Sequence, residues 1–210
     1  MAPSELYSDG SRRLQDQFDT RRIADRLEKV DLLEEFTDDH KAIIEAAPMF
    51  FLATADAQGR PDVSYKGGLP GFVRVLGPST LAFPDYNGNG MFKSLGTILE
   101  NPNVGLIFIV WTGKPKKLRI LGKASIDPDD PLLESYKGAQ LIVRVNAERI
   151  FDNCPRYLHE IEIKSYSRYV PRPDHDVPIP DWKRNPVYRD ALPERDLRVL
   201  AEQDERSEPT

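Results

Sequence analysis

Along the middle of the chain, apolar residues come in short runs separated by turn-forming residues, a pattern of strands rather than of long helices. Met49–Ala55 is a continuous apolar run of strand length, closed by Asp56, Gln58 and Gly59. The chain restarts at Asp62–Lys66, so 50–66 reads as a hairpin. Phe72–Leu76 and Thr80–Phe83 form a second pair, joined by Gly77-Pro78-Ser79. Val104–Trp111, Lys117–Ile126, Leu141–Phe151 and Leu158–Ser165 complete a set of about eight strands. Their short connections favour antiparallel pairing, because parallel neighbours need long crossovers.

Helices flank this block. Leu14, Phe18, Ile23, Leu27 and Val30 make a rough apolar stripe that predicts one amphipathic helix over 11–30. A second is expected over 38–47, with Thr37 as N-cap, Asp38 and Asp39 in its first turn, and Pro48 at its end. A third runs from Met91 to Leu99 and stops before Asn101-Pro102, where proline bars its continuation. Residues 170–186 form a proline-rich arm, and the charged tail after Asp190 is expected to be loose.

The expected fold is therefore mostly β with flanking helices (α+β), a small antiparallel β-barrel, closed or split, since closure removes exposed sheet edges. The organisation is a helical extension over 1–48, the barrel over 49–170, and the arm and tail over 171–210.

The 210 residues suffice for one domain with extensions, and 40% apolar with 30% charged residues is an ordinary soluble composition. A net charge of −5 argues against a general nucleic-acid binder. No apolar run is long enough to span a bilayer, and the opening MAPSELYSDGSRRLQDQFD lacks the apolar core of a signal peptide. With a single cysteine, Cys154, an internal disulfide is excluded, which suits a reducing compartment, so a cytoplasmic location is expected.

Two segments carry candidate chemistry. In NGNGMFKSLGT over 87–97, glycines precede a helix start whose free N–H groups and dipole favour an anion. Lys93 adds a cation and Ser94 a hydroxyl, both suited to phosphate oxygens, although the Gly-Lys-Ser/Thr ending of a P-loop is missing. In SYKGGLPG over 64–71, adjacent glycines let the backbone approach a ligand, and Lys66 projects from a strand end. Taken alone, these segments also suit an ordinary turn and a barrel corner with surface lysines. The other reactive residues suggest no site. His40, His159 and His175 lack metal-ligand spacing, and His159 reads as a surface residue. Cys154, before a proline and without a histidine partner, reads as a small buried residue. Asp127, Asp129 and Asp130 lack the spacing of a calcium loop.

The order ATADAQGRPDVSYKGG then LAFPDYNGNGMFKSLGTILENPNVGLIF resembles the pyridoxamine 5′-phosphate oxidase-like superfamily of FMN-binding split barrels, over about residues 45–126. SRRLQDQFDTRRIADRL and FDNCPRYLHEIEIKSYSRYVPRP resemble an uncharacterised bacterial subgroup of it. The resemblance implies FMN at a homodimer interface, with its phosphate held by Lys93 and Ser94 at the helix start and by Lys66 on its strand. It also implies that Ser64, Tyr65, Phe83, Pro84 and Asp85 flank the flavin ring, that Asn89 lines the turn, and that Trp182 covers the flavin from the partner chain. Gly90 and Met91 stand where many members carry an arginine, which leaves the phosphate more dependent on Lys66 and Lys93. The motif that holds pyridoxal phosphate in the true oxidases is not recognisable in DWKRNPVYRDALP, so vitamin B6 oxidation is not expected.

The function implied is a flavin oxidoreductase on a small organic molecule. A reduced nicotinamide would serve as a transient donor, since no Gly-x-Gly-x-x-Gly fingerprint exists. The alternatives are a deazaflavin-dependent reductase, a non-enzymatic flavin- or haem-binding or sensing protein, and a cofactor-free interaction module. No catalytic acid or base and no metal ligand is assigned.

Overall fold

The computed structural model describes residues 4, 6–111 and 113–207; the ends of the expected extension and tail, 1–3, 5 and 208–210, lie outside the described residues. Contacts divide the chain into two units, Met1–Ser165 and Tyr166–Thr210.

The first unit is built on one antiparallel sheet, curled as a split barrel, whose strands are β1 (Met49–Ala55), β2 (Pro61–Gly67), β3 (Arg74–Val75), β4 (Thr80–Tyr86), β5 (Asn103–Val110), β6 (Lys116–Asp127) and β7 (Ala139–Asn153). Their spatial order is β2-β1-β5-β6-β7-β4-β3, which leaves β2 and β3 at the edges. The expected hairpin closes with Phe51 opposite Tyr65 and Thr54 opposite Asp62. Alternation on β1 and β6 sends Phe50, Leu52, Leu118 and Ile120 into the core, where they meet Phe83 and Phe108. On β7 the inward phase runs Val143, Val145, Ala147 and then jumps to Ile150. The jump comes from a bulge: Leu121 pairs with Arg149 and Gly122 with Ala147, so Glu148 is extra and the pleat changes phase. β4 is buried on both sides, because the 3₁₀ turn Pro131–Ser135 and Tyr136 cover its outer residue Ala82.

Several expectations are corrected. The single helix over 11–30 is two, α1 (Asp9–Gln17) and α2 (Arg21–Asp31), broken where Asp19 takes the left-handed conformation at φ 52°. Across that break the Arg21 guanidinium holds both oxygens of Asp16 at 2.8 and 2.6 Å. The next helix, α3 (Asp38–Ala46), is capped by Thr37 as expected, and His40 completes the capping box from the third helical position. The helix expected from Met91 is α4 (Lys93–Glu100), because Phe92 sits at φ 46° and cannot continue the helical turn. Of the strand expected over Phe72–Leu76, only Arg74–Val75 joins the sheet.

Residues Leu158–Ser165 form no strand. Both neighbours of β7 are already taken by β6 and β4, and the turn at Pro155–Leu158, closed by the Leu158 N–H on the Pro155 carbonyl at 2.8 Å, carries the chain off the sheet.

The second unit holds a 3₁₀ turn at Asp181–Arg184, α5 (Pro186–Arg189) and α6 (Glu194–Ser207). The tail expected to be loose is thus helical over most of its length. Leu200 on α6 is buried, and the Lys183 ammonium meets Asp196 at 2.8 Å in the unit's interior.

Candidate functional site at the head of α4

The loop before α4 is shaped by its own side chains and glycines. Asn89 Oδ1 accepts the Met91 N–H at 3.0 Å, and Gly90 takes φ 77°, a conformation natural to glycine. No side chain caps α4, so the first N–H groups after Phe92 point out of the helix head with the positive end of its dipole. Lys93 opens the helix with an exposed side chain and no ion pair among the described residues, while Ser94 is buried.

β2 brings its chemistry to the same place. Alternation puts Asp62, Ser64 and Lys66 on the face shared with Phe50, Leu52 and Thr54 of β1, and turns Val63 and Tyr65 outward. Ser94 Oγ donates to Asp62 Oδ2 at 2.7 Å, tying α4 to the strand. The Lys66 ammonium stands 3.8 Å from Asp85 on β4, and Gln140 Nε2 donates to the other Asp85 oxygen at 2.7 Å. Ser64 Oγ and Thr54 Oγ1 are buried without a hydrogen-bond partner, although a buried hydroxyl normally has one.

Asp62 is thereby tied to the head of α4, where Lys93 and Asn89 stand at the open side, while Ser64 and Lys66 follow on the same face of β2 and Lys66 meets Asp85. Of the other residues implied by the resemblance, Tyr65, Phe83 and Pro84 turn their side chains elsewhere. Tyr65 faces away and packs edge-on against Phe51 at 6.1 Å between ring centroids. Phe83 is fully buried with its ring against Phe50, and Pro84 is buried too, so only their backbone could face a ligand. Trp182 belongs to the second unit, where its ring meets Tyr188. Sequence reading missed Asp62, Thr54 and Gln140. Asp62 and Thr54 could have been found by carrying the hairpin register across to β1, while Gln140 is placed only by the β4–β7 pairing.

Charge at the site is balanced, with Lys66 and Lys93 set against Asp62 and Asp85. A phosphate here would draw on Lys93, Lys66, the Ser64 hydroxyl and the exposed helix N–H groups, since Ser94 is committed to Asp62. On those grounds the residues fit an FMN phosphate. Nearby, burial and then the neighbouring Tyr136 push the Tyr86 phenol up to about 12, so it remains a protonated hydroxyl at neutral pH rather than a base.

Elsewhere, Cys154 is exposed rather than buried as expected. The Asp130 carboxylate receives the Arg144 guanidinium, a hydrogen bond that holds its proton affinity below the ordinary carboxylate range. His40 was read only as lacking metal partners, yet it is buried, its Nδ1 accepting the Thr37 N–H and its Nε2 lying 3.9 Å from Asp152. Burial lowers its proton affinity, against the opposing pull of Asp152 and Asp39. A lowered folded value means the unfolded chain binds the proton more tightly. The stability His40 supplies is thus full above its ordinary value of 6.5 and falls as pH drops toward the lower folded value. Melting temperatures from pH 8 to pH 5 should show this loss, and His40→Asn should flatten the profile in that window; parallel profiles would refute it.

A split-barrel sheet with a cation-bearing helix head beside its edge strand defines the class of this protein. The family model for pyridoxamine 5′-phosphate oxidase matches residues 36–164, and the chain belongs to that family. Among solved structures, HupZ of Group A Streptococcus is 21% identical with a TM-score of 0.45, over 56% of this chain and 93% of that one. HutZ, a haem storage protein from Vibrio cholerae, is 19% identical with a TM-score of 0.41, over 56% and 95%. An FMN-binding protein from Syntrophomonas wolfei subsp. wolfei is 11% identical with a TM-score of 0.43, over 68% and 96%. No curated protein matches the chain at a significant level. No helix among the described residues is long and apolar enough to cross a membrane.

Proposed function

We propose that this chain is a flavoprotein that holds the phosphate of FMN at the head of α4 and acts as an oxidoreductase on a small organic molecule. The observation that carries the reading is an uncapped helix start bearing Lys93 and tied through Ser94 to β2, the strand whose same face carries Lys66 and the unpartnered Ser64 hydroxyl, in a member of this family. Bound flavin would supply the electron-transfer chemistry, and the protein would supply binding, orientation and local charge. Lys93 and Lys66 would anchor the phosphate, Ser64 would donate to it, and Asp85, held by Gln140, would keep the Lys66 ammonium in place. Asn89 would hold the loop in its open shape. No side chain is assigned as acid or base, and a reduced nicotinamide would bind only transiently as donor.

The protein would act as a homodimer. Val63 and Tyr65, 67% and 61% exposed on the outer face of β2, continue an apolar surface through Phe51 and Ile107 that a second copy would cover. Equilibrium sedimentation showing a monomer at micromolar concentration would count against it.

The visible spectrum of purified protein, before and after added FMN, tests the cofactor. Flavin absorbance supports the reading, a haem spectrum supports the haem-binding alternative, and a protein that takes up no added FMN refutes the flavin reading. Lys93→Ala tests the site. Loss of one charge-assisted hydrogen bond, worth about 1.5–3 kcal/mol, should weaken FMN roughly ten- to a hundred-fold. Riboflavin, which has no phosphate, should bind as before. Equal weakening of both, or of neither, would make Lys93 a surface residue.

A further inference from the structure

On the opposite face of the sheet from Lys66, the outer side of β6 and β7 carries a cavity of about 750 Å³, lined on its helical side by Tyr7 and Leu27. Its size lies within the range of small-molecule sites, about 300–1,000 Å³. Phe151 and Leu121 supply an apolar floor, and alternation on β6 turns Lys117 and Arg119 outward into it while Leu118 and Ile120 enter the core.

The charge there is unlike that of the chain as a whole. Lys114, Lys116, Lys117 and Arg119 line the cavity against two carboxylates, Asp31 and Asp152, in a chain of net charge −5. Lys116 is committed to Asp39. Lys114 and Lys117 have no ion pair among the described residues. The Arg119 guanidinium lies over the Phe151 ring at 5.6 Å and reaches Asn153 only at 3.5 Å. Cations beside an aromatic floor suit a ligand with a flat apolar body and an anionic end.

We propose that this cavity binds a small organic anion, an aromatic or acyl body carrying a phosphate, sulfonate or carboxylate, with Lys114, Lys117 and Arg119 on the anionic end. A cavity of this size selects a small molecule over a nucleic acid, whose recognition needs an extended basic face.

The probe is 1-naphthyl phosphate, with neutral 1-naphthol and inorganic phosphate as controls, measured by calorimetry. Cys154 lines the cavity and is the chain's single cysteine, so its alkylation by iodoacetamide reports occupancy directly. Naphthyl phosphate should bind, slow alkylation of Cys154, and bind about tenfold more weakly to Lys117→Gln and to Arg119→Gln. Naphthol should bind more weakly and ignore both substitutions, and FMN titrations of the variants should match the parent. The proposal is overturned if naphthyl phosphate fails to bind or leaves Cys154 unprotected, or if either control binds as well as it does. Loss of FMN binding in Lys117→Gln would also overturn it, by assigning these cations to the flavin site. Failure of FMN to bind the parent protein would refute the flavin reading and leave this one standing.

Discussion

Gly122→Ala should destabilise the first unit by about 3 kcal/mol or more. A Cβ at this position would lie 2.1 Å from the Asn146 carbonyl oxygen and 2.9 Å from the Ala147 Cα. Both obstacles are backbone, so no flexible side chain can swing aside. Relief requires separating β6 from β7 at the bulge, where the register already shifts between Leu121 and Gly122. For a chain of this size the loss corresponds to roughly 6–12 °C in melting temperature. Gly96→Ala is the matching control, because a Cβ there meets nothing within 4 Å and the position is inside α4. It should stabilise by about 0.5–1 kcal/mol. Equal melting temperatures for Gly122→Ala and the parent would show that the bulge can open without cost.

Phe50→Ala should cost about 3–5 kcal/mol, the range for truncating a buried phenylalanine. The ring is 1% exposed and lies 4.9 Å from Phe83, 5.0 Å from Phe108 and 5.9 Å from Phe72 between centroids. Its removal leaves a cavity at the meeting point of β1, β4 and β5. Phe50 is also the cross-strand partner of Lys66, on the same face. Under the flavin reading its loss should loosen the seat of Lys66 and weaken FMN as well as stability, whereas Lys93→Ala should weaken FMN with stability little changed. Denaturant titration with and without FMN separates the two effects. A destabilisation below about 1 kcal/mol would mean that the neighbouring rings close the gap.

The strands were legible because their apolar runs are bounded by turn chemistry that local physics dictates. Asp56 to Gly59, Gly77-Pro78-Ser79 and Asn101-Pro102 end elements by dihedral preference and lost hydrogen bonds, and the Thr37 cap needs only its own helix. Misreadings fell where a local pattern needed a distant partner or met a local strain. Leu158–Ser165 alternates like a strand, but a strand requires a free edge beside it, and β7 offers none. The stripe over 11–30 is continuous in apolar spacing, yet Asp19 breaks it where Arg21 finds Asp16.

The candidate site divides in the same way. The sequence alone determined that a cation and a hydroxyl stand at a helix start after glycines, because those are properties of neighbouring residues. Only the tertiary structure decided that Ser94 is held by Asp62, that Lys66 faces Asp85, and that Tyr65 turns away. Those outcomes depend on the pleat of β2 and on the pairing of β4 with β7, which join residues far apart in sequence. Local propensity sets the elements, whereas register and strand order set which charges meet.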